Sequence, residues 1–234
     1  MKRLTFIHTV GTLVPVFDDL ASELLPGVEA NDVVDESLLA ETVAAGRITE
    51  STAARLEGHV QAALARGADA VLVTCSSVGP AVEAIAGRTG WPLLRVDEAM
   101  ADSALAQGRR IGVIATLRST LEPTADLIRR RAAVRAGRGG ADVEITSQLC
   151  EGAFDKLKAG DLEGHDATVR DGLRELLPKV DVVVLAQASM ARVAAKLDPA
   201  ETGGKPILAS PRLGVERLAE FLEAREAAGT TRPG

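Results

Sequence analysis

Cys75 closes the run Asp69-Ala70-Val71-Leu72-Val73-Thr74-Cys75-Ser76-Ser77, and the pattern returns as Asp181-Val182-Val183-Val184-Leu185-Ala186-Gln187-Ala188-Ser189 with an amide replacing the thiol. Each is a short apolar run ending in small polar residues, the way a buried parallel strand delivers groups to the crevice at its carboxyl end. A cysteine between such a strand and a following helix sits in the positive field of unpaired amide N–H groups, which is expected to lower its pKa and favour the thiolate. Cys75 is therefore a candidate base or nucleophile, set against the fate of an inert buried cysteine. Ser76, Ser77 and Gly79 follow as a small-residue turn suited to close substrate approach. The hydroxyls and amides of Ser76 and Ser77 can hold a carboxylate, cap the helix, or do both.

Other polar groups fall at comparable places. Thr9, Gly11 and Thr12, with Thr116, Ser119 and Thr120, end the first strand of each half and open helices, so their hydroxyls are expected to line a shared crevice with Ser189. Asp35-Glu36-Ser37 reads as a helix start or as a ligand contact. Cys150 aligns with Asp35 and falls near the crevice mouth or packs into the core. His8, at a strand end, can serve as an acid/base partner or as a wall histidine. His59 and His165 fall on helices with charged faces and are assigned to solvent. No metal-ligand spacing, phosphate-binding loop or dinucleotide fingerprint occurs, so no metal and no cofactor are expected.

Alternating apolar runs and helical patterns must position these groups, which is the signature of βαβ units and a parallel sheet. Strands are expected near 3–9, 28–34, 69–75 and 92–95, then near 111–115, 142–149, 181–186 and 206–209. Helical spacing marks Thr49 to Arg66 and Asp161 to Leu177, with Gly67 and Pro178 as stops. The halves correspond in order: Lys2 to Thr9 with Arg109 to Thr116, Thr12 to Pro15 with Thr120 to Pro123, Val28-Glu29 with Val143-Glu144, and Asp69 to Ser77 with Asp181 to Ser189. Spacing that drifts by a few residues while keeping order points to a duplicated unit with loop insertions. The expected fold is α/β, two pseudo-symmetric lobes, each a mainly parallel sheet flanked by helices, with the active site in the crevice between them. The first lobe is 1–97, completed by the C-terminal helix 210–234, and the second is 98–209. The Arg129 to Arg138 run reads as the solvated end of a helix stopped by Gly139-Gly140.

The 234 residues are 46% hydrophobic, ample for packed cores. A net charge of -6, 2% aromatic content and no tyrosine argue against a nucleic-acid surface. No run approaches the roughly 20 apolar residues that span a bilayer. Two cysteines are too few for a disulfide framework and fit a reducing, cytoplasmic setting. The expected partner is a small molecule, and a homo-oligomer would most commonly be a two-fold dimer.

Val73-Thr74-Cys75-Ser76-Ser77, Ala115-Thr116 with Thr120, and Leu185-Ala186-Gln187-Ala188-Ser189-Met190-Ala191 resemble the aspartate/glutamate/hydantoin racemase superfamily over nearly the whole chain. The resemblance implies a cofactor-independent enzyme acting on a small carboxylate or hydantoin, in which one cysteine from each lobe faces the acidic carbon. Gln187 stands where the second cysteine belongs. An amide cannot supply an acid or base, but it can hydrogen-bond a carboxylate, carbonyl or enolate oxygen. The superfamily also includes relatives resembling arylmalonate decarboxylase and maleate isomerase, which work through one cysteine. The leading expectation is an isomerase or lyase using Cys75 for one-sided proton transfer or covalent addition, with Ser76, Ser77, Thr116, Thr120 and Ser189 on substrate oxygens and Gln187 orienting the substrate. Its alternatives are a non-catalytic small-acid-binding protein and a racemase that recruits Cys150.

Overall fold

The computed structural model describes residues 1–137, 139–140 and 142–229. Two compact units divide the chain: Met1–Val96 with the segment beginning at Pro211, and Asp97–Ser210. In the first, β1 (Lys2–His8), β2 (Val28–Val34), β3 (Ala70–Val73) and β4 (Leu93–Arg95) form a parallel sheet of order β2-β1-β3-β4. In the second, β5 (Arg110–Ala115), β6 (Glu144–Leu149), β7 (Val182–Leu185) and β8 (Ile207–Ala209) repeat that order as β6-β5-β7-β8, again all parallel. The strands expected from sequence form at the expected places, with ends moved by a residue or two.

Burial differs from strand to strand. The central strands β3 and β7 are buried at every residue, as continuous Val/Leu/Ala runs require when helices cover both faces. Of the edge strands, β2 and β6 carry polar residues, among them Asn31, Asp32, Thr146 and Ser147, and are only partly covered, whereas β4 is buried throughout. In the first unit Leu4, Phe6 and Leu72 pack against Phe17, Val215 and Leu218. On the opposite face Ile7, Val71 and Val73 pack against Leu56, Val60 and Val82. The second unit packs Ile114, Val183 and Leu185 against Val169, Leu173 and Leu176.

The duplication extends to individual hydrogen bonds. Ile7 O accepts from the Thr74 amide and His8 O from the Asp35 amide; Ile114 O accepts from the Ala186 amide and Ala115 O from the Cys150 amide. The aspartate opening each repeated run joins its strand to the first strand of the unit. Asp69 accepts from the Arg3 amide at 2.8 Å, and Asp181 from the Arg110 amide at 2.9 Å.

Helix boundaries are set by local chemistry. The helix Glu50–Ala65 starts where the Thr49 hydroxyl accepts from the Thr52 amide at 3.1 Å. Leu162–Leu176 starts where Asp161 accepts from the Gly164 amide at 2.9 Å. The arginine run lies on the helix Arg118–Ala136, and Arg138 lies outside the described residues. One arginine departs from the solvated reading: Arg131 turns inward to pair with Glu98 at 2.6 Å and with Asp102 on the helix Glu98–Gln107. The last helix, Ser210–Ala227, places Val215, Leu218 and Leu222 in the first unit's core.

Candidate active site

In each unit the strand order reverses direction between the first and third strands, which is where parallel sheets open a crevice at their carboxyl ends. In the first unit that position is taken by Thr9, after β1, and Cys75, after β3. Cys75 has extended backbone (φ -122°, ψ 116°) and opens a 3-10 turn, Ser76–Val78, that leads into the helix Gly79–Thr89. In the second unit the equivalents are Thr116 and Gln187, and Gln187 (φ -126°, ψ 134°) opens the turn Ala188–Met190 in the same way.

Four donors converge on the Cys75 sulfur: the hydroxyls of Thr9 and Ser77 and the amides of Ser77 and Val78. Cys75 keeps some solvent contact, yet burial outweighs those donors and pushes the thiol up from its ordinary value. This corrects the sequence expectation of a lowered pKa. The turn supplies the expected donors, but packing against the Leu56–Val60–Val82 side of the sheet strips water from the sulfur.

Gln187 Oε1 accepts from the Thr116 amide at 2.6 Å and the Thr116 hydroxyl at 2.9 Å. The carboxamide oxygen is thus occupied, and the group it has left to offer a ligand is its NH2. Ser76, Ser77, Thr116 and Thr120 are buried beside these strand ends, Ser119 and Ser189 are half-buried, and Thr12 is exposed in the turn Gly11–Leu13. The buried Ser119 Oγ has no partner among the described residues.

The remaining candidates separate. His8 is fully buried, its Nε2 2.8 Å from Asp32 Oδ1 and its Nδ1 2.9 Å from Thr74 Oγ1, with Phe17 5.4 Å away. Asp35 accepts from the Ser37 amide and hydroxyl and pairs with His59 at 2.8 Å; Glu36 accepts from the Gly11 amide at 3.0 Å. These carboxylates hold local structure. Cys150 is packed among Ile114, Val169 and Leu173, and burial, with Glu175 nearby, pushes its thiol up to about 11. That packing leaves the recruited second base without support. His59 is only half-exposed, and His165 is fully buried rather than solvated. It shares the helical stripe of Val169, Leu173 and Leu176, and it pairs with Asp166 at 3.0 Å.

Sequence reasoning missed Asp32, Thr74 and Arg95. Arg95 is buried on β4, pairs with Glu83 at 2.8 Å, and sets its guanidinium where a Gly79 side chain would stand, 2.4 Å from an added Cβ. A charge inside the apolar run Leu93-Leu94-Arg95 was the available signal, since buried charges are paired.

A family model described as Asp/Glu/Hydantoin racemase matches residues 12–218. The chain belongs to that family. Its fold is shared by solved racemases at low identity. Against an aspartate racemase from Picrophilus torridus the TM-score is 0.67 at 14% identity, covering 100% of this chain and 96% of the other. A glutamate racemase from Bacillus anthracis gives 0.66 at 15%, covering 96% and 82%. An allantoin racemase from Klebsiella pneumoniae gives 0.60 at 16%, covering 100% and 91%. No curated protein sequence matches the chain. Among the described residues of this family member, no helix is long and apolar enough to cross a membrane, and no cluster of three or more His, Cys, Asp or Glu could hold a metal ion.

Proposed function

We propose that this racemase-family chain is a cofactor-independent isomerase or lyase that delivers a proton from Cys75 to one face of a small carboxylate or related carbonyl compound, with Gln187 donating to a substrate oxygen. The supporting observation is the environment of the sulfur. Burial favours the neutral thiol at rest, while four hydrogen-bond donors wait to receive the anion that proton donation leaves behind. In the step, the S–H bond breaks, the proton joins a carbanion or enediolate carbon, and the sulfur keeps the electron pair; water later returns a proton to the thiolate.

The second position agrees with one-sided chemistry. Gln187 has no proton to exchange, and Thr116 holds its oxygen, so its NH2 suits an oxygen that gains charge in the transition state. Ser76, Ser119, Thr120, Ser189 and Thr12 supply further hydroxyls to substrate oxygens.

Cys75→Ala tests the reading. It should remove turnover while circular dichroism still reports a folded chain. An active Cys75→Ala variant ends the proposal.

A further inference from the structure

The thiol-bearing strand end carries a hydrogen-bonded chain that its duplicate lacks. The β1–β3 register pairs Ile7 with Val73, so its continuation pairs His8 with Thr74 and Thr9 with Cys75. β1 ends at His8 and β3 at Val73, and beyond them side chains take over from the ladder. Thr74 Oγ1 lies 2.9 Å from His8 Nδ1, and the Thr9 hydroxyl meets the Cys75 sulfur. Asp32, opposite Phe6 on the edge strand, completes the chain at 2.8 Å from His8 Nε2.

The second unit serves as an internal control. Its backbone hydrogen bonds and register put Ala115 at the position of His8, Ala186 at that of Thr74 and Ser147 at that of Asp32. Two small apolar residues therefore suffice to build this corner of the fold. Burying an imidazole there is favourable only if both ring nitrogens find partners, as they do. A costly polar chain present beside the thiol and replaced by alanines beside the amide points to a role tied to the sulfur.

We propose that Asp32, His8 and Thr74 are positioning residues for the thiol: their chain fixes the ends of β1 and β3 so that the Thr9 hydroxyl points at the Cys75 sulfur. The inference rests on the reading of Cys75 as the working thiol. The titratable groups around His8 are Asp32 on β2 and Asp18, with Asp19 beside it, on the helix Val14–Leu24; the C-terminal helix packs Val215, Leu218, Ala219, Phe221 and Leu222 against this side of the sheet.

The test uses the full chain and iodoacetamide, with the modification rate read at the Cys75 peptide by mass spectrometry from about pH 7 to about pH 10. Thr74→Val and His8→Leu should move the profile to higher pH and slow the reaction about tenfold near the wild-type midpoint, the loss of one hydrogen bond to the sulfur anion. Thr74→Ser keeps the hydroxyl and should recover the rate to within about twofold. A merely structural role would not distinguish serine from valine in this way. Circular dichroism checks each fold; should His8→Leu or Thr74→Val fail to fold, Asp32→Asn on the edge strand should still shift the profile upward. Profiles that match wild type in the folded variants, or a Thr74→Ser shift as large as that of Thr74→Val, overturn the proposal. Alkylation needs no substrate, so absence of turnover would count against the enzyme reading without touching this result.

Discussion

The carboxamide oxygen of Gln187 accepts from both the amide and the hydroxyl of Thr116, at 2.6 and 2.9 Å. At the equivalent place in the first unit the Thr9 hydroxyl donates to the Cys75 sulfur. One threonine therefore holds an acceptor at the end of each sheet, a thiol sulfur in the first unit and a carboxamide oxygen in the second. Because the Gln187 oxygen is fixed, Gln187→Glu should keep the Thr116 contacts, lose the NH2 donors and add a negative charge. Its kcat/KM should fall by about 100-fold or more, with little change in stability. Steady-state kinetics checks this; a Glu variant as active as wild type would remove Gln187 from the substrate's surroundings.

The pH dependence has a defined sign. Burial raises the Cys75 pKa above its ordinary 9.0, so the acid form predominates at neutral pH and is lost as pH climbs through the raised value. A proton donor of this kind gives kcat/KM that is flat near neutrality and falls on the alkaline side of about 9. A rate that instead rises through that range would mean that the thiolate is the active form, as a base or nucleophile.

Cys150 is assigned to packing by its contact with Gly172. A Cβ added at Gly172 would stand 2.7 Å from the Cys150 sulfur and 3.0 Å from Ile114 Cδ1. Gly172→Ala should therefore destabilise the protein by about 1–3 kcal/mol, despite the roughly 1 kcal/mol that alanine gains in a helix. Combining it with Cys150→Ala should recover much of that loss, and Cys150→Ala alone should leave turnover unchanged. Denaturant midpoints of the three variants read the coupling; additive losses would place the thiol elsewhere.

Asp166 gives a stability prediction. Burial pushes its carboxyl up, but hydrogen bonds from Arg192, His165 and Lys196 prevail and hold it at about 2. Since the folded value lies below the unfolded one, the contribution is present above about pH 4 and is lost as pH falls toward about 2. The carboxylate is partly solvated, so about 1–2 kcal/mol is expected after screening. Unfolding of Asp166→Asn beside wild type should show that gap at pH 7 and lose it in acid; a gap independent of pH would contradict the assignment.

Much of the fold was legible because its signals are local. Thr49 and Asp161 cap the helices their spacing marked, and the Asp69 and Asp181 runs form matching buried strands. What sequence could not supply was partnership across distance. Gln187 and Thr116 meet from residues far apart in the chain, as do His8, Asp32 and Thr74. The Ser77 and Val78 donors around Cys75 could be anticipated from a strand followed by a turn, whereas the Thr9 contact and the desolvation that opposes these donors depend on tertiary packing. His165 was misassigned because its charged neighbours Glu163 and Asp166 obscured a stripe that its spacing from Val169, Leu173 and Leu176 already carried.

One measurement tests the central claim most directly: incubation in deuterated water with amino acids, hydantoins, malonates and unsaturated diacids, followed by NMR. Delivery of a proton from Cys75 alone predicts deuterium entering one face of a small carboxylate product, without inversion of an amino acid, and no labelling with Cys75→Ala. Efficient inversion of an amino acid by the wild-type chain would contradict it, because Gln187 cannot return a proton. No exchange with any ligand that binds would show a small-acid-binding protein instead.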